Sequence, residues 1–268
     1  MLFHWNDLTT DDFRAIDFAK AVALMPVAAT EQHGPHLPVS VDADINAGIV
    51  AEAAPYVEAD VPVYVLPQLP IGKSDEHSAF PGTLTVGGET LLRMWLDMGA
   101  SIVRAGFQRL VILNSHGGQP QIMEIAVREL RIRHAILAVA ANTYGFGLPE
   151  GLFDPAEIAH GIHAGAIETS MMLHLRPDAV RRERFRNFTS IGSQIENNNE
   201  VLRLEGSVNV GWMTQDLNPA GAAGDATRAK AEHGALCITH AGRKLAQLLT
   251  EVSRYSNPID QRPDEVGA

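Results

Sequence analysis

The sequence predicts a three-layer α/β/α sandwich with a mostly parallel central sheet, and three observations carry that expectation. Apolar runs alternate with longer helical patterns from about residue 20 to about residue 175, the strand–helix–strand rhythm of parallel sheets. Turn signals fall between the runs rather than inside them. No Ser/Gly linker, composition shift or internal repeat divides the chain, so residues 1–255 read as one domain. Parallel sheets are usually covered by helices on both faces, each carried across by a right-handed crossover. The order of the strands is not readable.

In chain order, AVALMPVAAT (21–30) is the first strand. A polar loop follows, and INAGIVAEAAPYV (45–57) has helical spacing, with Asp42 or Asp44 as the opening cap. VPVYVLPQLPIG (61–72) is the second strand, and GETLLRMWLDMGASIVRAG (88–106) a helix closed by Gly106. RLVILNSHGG (109–118) is a buried strand ending in Asn-Ser-His-Gly-Gly, followed by a helix in QIMEIAVRELRIR (121–133). AILAVAANTYG (135–145) is a fourth strand and HAGAIETSMMLHL (163–175) a further helix, with His163 in the loop or at its start and Glu168 in its first turns. One long amphipathic helix is expected over 225–255, with Asp225 as N-cap, and a loose polar tail over 256–268.

Composition narrows the function classes. The 268 residues carry 21 Lys and Arg against 32 Asp and Glu, a net charge of −11, with the basic residues scattered. That argues against a nucleic-acid face. One cysteine, Cys237, excludes an internal disulfide framework and fits a reducing compartment. No signal-peptide pattern opens the chain and no apolar run approaches a membrane span, so the expected location is the cytoplasm. Histidine is the unusual component, since eight of the 11 lie between His33 and His174.

Ligands of open α/β sheets bind beyond the carboxyl ends of the strands. The loops expected there hold Glu31, His33, His36 and Asp42, then Ser74, Asp75, Glu76 and His77, then Asn114 and His116, then Asn142 and Tyr144. Glu31 and His33 are two residues apart, which in extended backbone points both to one side. Such mixed oxygen and nitrogen donors suit zinc, manganese or iron and not a thiolate site. Each cluster alone has a bland reading: His33 a hydrogen-bonded loop residue, His116 a satisfied core histidine, Glu168 a solvated helix carboxylate. Their joint occurrence after several strands favours chemistry. Glu76 and His77 read as substrate contacts or supports of the ligands, or as a self-bonded loop. Neither a phosphate-binding Gly-rich loop nor a GxSxG elbow is present.

ATEQHGPHLPVSVDAD (29–44), GKSDEHSAFPGTLTV (72–86), NSHGGQ (114–119), HAGAIETSMMLHLRPD (163–178) and GAAGDATRAKAEHG (221–234) together resemble the creatininase (creatinine amidohydrolase) family. That family also includes formamidopyrimidine deformylases and mycofactocin-precursor peptidases. The resemblance implies two divalent metal ions in an α/β/α sandwich and a homo-oligomer, often a hexamer. It makes Glu31 and His116 ligands of one ion, His33 a ligand of the other and Asp42 the bridge, with Ser74 contacting substrate and His163 transferring a proton. The sequence departs from creatininase itself at Gly118, where an acidic ligand is missing; Glu168 is assigned that place. The aromatic residues that box creatinine are absent from the matching loops, where Tyr144 and Phe146 stand.

The implied reaction is hydrolysis of an amide, formamide or cyclic amide C–N bond of a small molecule by a metal-activated hydroxide. Three ligand carboxylates against two divalent ions leave one positive charge over, which favours a bound hydroxide. The alternatives are a peptidase of the mycofactocin-precursor type and a noncatalytic member that only binds a metal or small molecule.

Overall fold

The computed structural model describes residues 1–255; the expected tail over 256–268 lies outside the described residues. The central sheet has strands β1 (Leu2–His4), β2 (Val22–Val27), β3 (Val63–Val65), β4 (Arg109–Asn114) and β5 (Leu137–Asn142) in the order β1-β3-β2-β4-β5. Every neighbouring pair is parallel. The helices are α1 (Thr10–Arg14), α2 (Val41–Ala53), α3 (Gly88–Ala105), α4 (Pro120–His134), α5 (Pro155–His160), α6 (Ala166–Leu175), α7 (Gly192–Asn198), α8 (Thr214–Leu217) and α9 (Ala231–Arg254). A short antiparallel pair, β6 (Asn187–Phe188) with β7 (Gly224–Asp225), lies outside the sheet.

Alternation along the strands builds the three layers. Val22, Leu24, Val111 and Leu113 face a core completed by Ile45 and Ile49 of α2, Met172 of α6, and Ile238 and Leu245 of α9. Ala23, Met25, Leu110 and Ile112 face the other core, filled by Leu91 and Trp95 of α3 and Met123 and Leu130 of α4. Both faces of β2 are therefore apolar, as parallel strands covered on two sides require. Pro26 is tolerated inside this strand for a local reason. Its carbonyl accepts from Leu69 N (3.0 Å) on the β3 side, beyond the last paired residue there, so no ladder bond is forfeited by its missing N–H.

Three local readings are corrected. A fifth strand, β1, joins the edge of the sheet through Leu2–His4, too short to show a pattern. Helix α2 begins at Val41 with Ser40 in the cap position, so Asp42 lies inside the first turn. Asp225 does not cap the long helix. Its Oδ1 accepts from Thr227 N (3.1 Å) in a separate 3₁₀ turn over Ala226–Arg228, and α9 starts at Ala231. Gly106 does close α3, with φ +113, a conformation that costs glycine little.

The connections fix where a site can form. From β2 the chain leaves through α2 to β3 on one side, and from β4 it leaves through α4 to β5 on the other. Strands β2 and β4 are neighbours, so the crossovers diverge between them and open a crevice at their carboxyl ends. Asn46 of α2 ties that point together, its Nδ2 donating to Val27 O (3.1 Å), Leu113 O (3.0 Å) and Ser115 Oγ (3.2 Å).

Candidate metal centre

The loop after β2 brings Glu31 and His33 to the crevice, the first turn of α2 adds Asp42, and the turn after β4 adds His116. All four are buried to within 2% exposure. His116 is set by the sequence around it. Asn114 Oδ1 accepts from His116 N (3.0 Å) and its Nδ2 donates to His116 O (2.6 Å), holding the turn that the two following glycines allow. His116 Nε2 donates to Lys73 O (2.8 Å), which leaves Nδ1 directed inward, 3.2 Å from Glu31 Oε2 and 3.4 Å from Asp42 Oδ2. His33 is fixed the same way with its nitrogens exchanged. Its Nδ1 donates to Glu31 O (3.0 Å), and Nε2 faces Asp42 Oδ1 at 3.5 Å, Glu168 Oε2 at 3.9 Å and Glu31 Oε1 at 4.0 Å.

Four donor groups result among the described residues: Glu31–His33–His163, Glu31–Glu76–His77, and two that share Asp42, Glu31–Asp42–His116 and His33–Asp42–Glu168. Asp42 turns one oxygen to each of the two that share it. Glu168 reaches the group of His33 from α6, where Ala164 N donates to its Oε2 (2.5 Å). His33 Nε2 and Asp42 Oδ2 are buried without a hydrogen-bond partner. Buried polar atoms are seldom left unpaired unless something else meets them, and imidazole nitrogen with carboxylate oxygen is a donor set for borderline divalent ions. These residues fit a metal.

The electrostatics point the same way. Burial opposes charge on His33, yet the nearby carboxylates of Asp42, Glu168 and Glu31 push the imidazole up to about 9. His116 is raised well above the usual histidine range against its burial, by Glu31, Asp42 and Glu76. Burial, then the charges of Asp42 and Glu31, hold Glu168 up at about 7 although His33 opposes them. The carboxylates demand positive charge inside the crevice, and imidazolium protons or divalent cations are alternative sources of it.

The other sequence-predicted residues surround this pair of groups. Ser74, fully buried, donates its hydroxyl to Glu31 Oε2 and so holds a carboxylate that the sequence linked to metal. Glu76 accepts from Lys73 Nζ (2.8 Å) and turns Oε1 to within 3.4 Å of His116 Nε2. Although burial opposes it, hydrogen bonds from His116 and Lys73 hold this carboxyl down at about 2. His77 Nε2 lies 3.4 Å from Glu31 Oε1. His163 stands in the loop before α6, its ring 4.2 Å from that of His33 and 4.4 Å from that of His77. Its Nε2 donates to Gln32 O (2.8 Å), and Nδ1 faces Glu31 Oε1 at 3.8 Å. Burial first, then the charges of His33 and His77, drive its basicity well below the usual range. Tyr144 is 57% exposed beyond β5, at the rim. Its hydroxyl is pushed up to about 12 by partial burial and by Glu205.

Two residues of the site went unread in the sequence. Gln32, between Glu31 and His33, donates from Nε2 to His77 Nδ1 (2.8 Å) and accepts from Gly34 N (2.9 Å) at Oε1. Its place inside the Glu-x-His stretch was the available signal. Thr214 donates to Glu76 O (2.9 Å) and lies 3.1 Å from His77 Nδ1. It arrives from a segment more than 130 residues away, with no motif around it. Trp212 is two residues from this contact.

A sequence model of the creatininase family, described as creatinine amidohydrolase, matches residues 6–249. The mycofactocin precursor peptide peptidase of Mycobacterium ulcerans is 32% identical over 79% of this chain and 77% of its own length. The creatinine amidohydrolase of Pseudomonas putida is 32% identical over 67% of this chain and 74% of its own. Among solved structures, a zinc–zinc form of a creatininase variant superposes with a TM-score of 0.75 at 23% identity, over 94% of this chain and 98% of that one. A manganese creatininase does so with a TM-score of 0.70 at 22% identity, over 94% and 99%. These two likenesses concern the fold, whereas the family match and the relatives concern the sequence across most of its length. The chain belongs to the creatininase family, whose relatives here are hydrolases of carbon–nitrogen bonds.

Proposed function

We propose that this protein is a metal-dependent amidohydrolase that hydrolyses an amide, formamide or cyclic amide C–N bond of a small molecule at the β2–β4 crevice. The observation that carries this reading is the division of Asp42 between two donor groups, Oδ1 toward His33 and Oδ2 toward His116. One carboxylate serving two inward-facing imidazoles is an arrangement for a pair of ions. Glu31, Asp42 and His116 would hold one and His33, Asp42 and Glu168 the other, with zinc, manganese and iron all compatible with the donors. Divalent ions bound there would polarise a carbonyl oxygen and lower the pKa of water.

The chain's own residues supply the rest. His163 directs Nε2 to Gln32 O and presents Nδ1 to the cluster, the atom at which it would take up a proton and pass it to the leaving nitrogen. Ser74 fixes Glu31, and Glu76 with Lys73 O fixes the tautomer of His116. We assign substrate contact to His77, buried beside Glu31, and to Tyr144, exposed beyond β5. Residues 1–255 act as one domain in this reading, within a homo-oligomer in the cytoplasm. No helix among the described residues is long and apolar enough to cross a membrane.

A peptide substrate is the second reading, favoured by the 32% identity to the mycofactocin precursor peptide peptidase. Metal analysis followed by a screen of formamides, lactams and short peptides separates the two. His163→Ala is expected to keep its metal and lose most turnover on whichever substrate is found; full activity in that variant removes His163 from the reaction.

A further inference from the structure

His163 lies in a short loop, Gly161–Gly165, whose conformation is not one the backbone prefers. Ala164, directly after it, has φ +55, a left-handed conformation that is strained for a residue with a Cβ. Such strain persists only where the surroundings fix it from several sides. One side is a β-bridge, with His163 N donating to Ala223 O (3.2 Å) and Ala223 N to His163 O (2.7 Å). Another is His36, whose Nε2 donates to Ala164 O (3.0 Å).

A further one is Glu157 of α5, 9% exposed and named by no motif. Its Oε1 accepts from Ala166 N (2.6 Å) at the start of α6, and its Oε2 from Asp225 N (2.9 Å) in β7. One carboxylate therefore satisfies an orphan amide of the helix that follows the loop and joins it to the strand beside the loop, in the field of a helix N-terminus. Its own carbonyl accepts from Gly161 N (2.7 Å), where the loop begins. Three glycines make room for it. A Cβ on Gly161 or Gly165 would come within 2.3 Å of Glu157 Oε1, and one on Gly224 within 2.8 Å. Gly161, Gly165 and Gly224 thus form a cradle for this side chain, and the cradle encloses both ends of the loop that carries His163.

We propose that Glu157 is a positioning residue that sets the imidazole of His163 by clamping the Gly161–Gly165 loop between α6 and β7. It touches no reacting group. The proposal rests on His163 as the proton-transfer residue only for its kinetic consequence, not for the clamp itself.

The test uses Glu157→Gln, which keeps the shape but turns a donor toward one of the two amides, and Glu157→Ala. Hydrogen exchange read by mass spectrometry is expected to accelerate in the peptides covering 161–166 and 222–226, with β4 and the His116 turn unchanged and metal content retained. Unaltered exchange in a folded Glu157→Gln protein overturns the clamp. Turnover is expected to fall by about a hundredfold with KM little changed, the loss that a misplacement of about 1 Å brings. In a His163→Ala background the same substitution is expected to cost nothing more. A further loss there shows that Glu157 acts on turnover by another route and overturns the positioning role. If His163→Ala alone leaves turnover intact, the proton-transfer reading fails while the exchange measurement still decides the clamp. Should Glu157→Ala fail to fold, Glu157→Gln carries the test.

Discussion

At the scale of single residues, the site is a set of side chains whose unused atoms converge. His33 and His116 each spend one ring nitrogen on a backbone carbonyl and direct the other at Asp42. His116→Ala removes a donor to one ion and is expected to lower bound metal by elemental analysis; undiminished content would exclude His116 as a ligand. Gly118 gives a sharper expectation. A Cβ there would lie 1.7 Å from Glu76 Oε1 and 2.5 Å from His116 Nε2. Gly118→Ala must therefore displace Glu76 or the His116 ring, and it is expected to cost activity and metal affinity about 10–100-fold, the usual effect of disturbing a group that orients a ligand. Wild-type metal affinity in that variant would show that neither residue needs its present place. The candidate ligands were legible because they sit in short motifs directly after strands, as Glu31, His33 and His116 do. Thr214 was not, because only the folded chain brings it to His77.

At the scale of elements, periodicity and punctuation served well where a helix is long. Gly106 ends α3 as its position implied, and the fully buried run of β2 is the strand its composition suggested. Short elements escaped. Strand β1 has three residues, and its place depends on pairing with β3, which no local pattern encodes. Helix α9 starts beyond the position that Asp225 suggests, because this good capping residue caps a separate turn. The packing of α9 on α6 gives an expectation of its own. A Cβ on Gly234 would stand 1.9 Å from the Ser170 carbonyl oxygen and 2.8 Å from Met171 N, backbone atoms of α6 with no flexible side chain to yield. Gly234→Ala is expected to destabilise by about 3 kcal/mol, the upper end for overpacking, read as a lowered denaturant midpoint. Gly211→Ala, with open space around its Cβ, is expected to stay within about 0.5 kcal/mol. Equal midpoints for the two would contradict the close α6–α9 contact.

At the scale of the whole molecule, the sequence carried the class of fold but not the strand order, since order is decided by which strands pair after collapse. The order matters to function because β2 and β4, adjacent at the centre, send their crossovers in opposite directions and open the crevice where the ligand loops meet. The net charge of −11 is in part this crevice rather than solvated surface. The single thiol plays no part in it. Cys237 lies buried in α9, and burial pushes it up to about 11, so at pH 8 the folded protein holds almost no thiolate. A disulfide reagent is expected to label Cys237 slowly in buffer and rapidly in denaturant; fast labelling of the native protein would mean that α9 opens readily. The most direct test of the site as a whole is the metal content of purified protein with and without Asp42, the residue shared by the donor groups of His116 and His33. About two divalent ions per chain are expected in the wild type and loss of both in Asp42→Ala, because ligand removal acts on metal binding and folding together. A folded Asp42→Ala protein that keeps its full metal complement would contradict a centre built on Asp42.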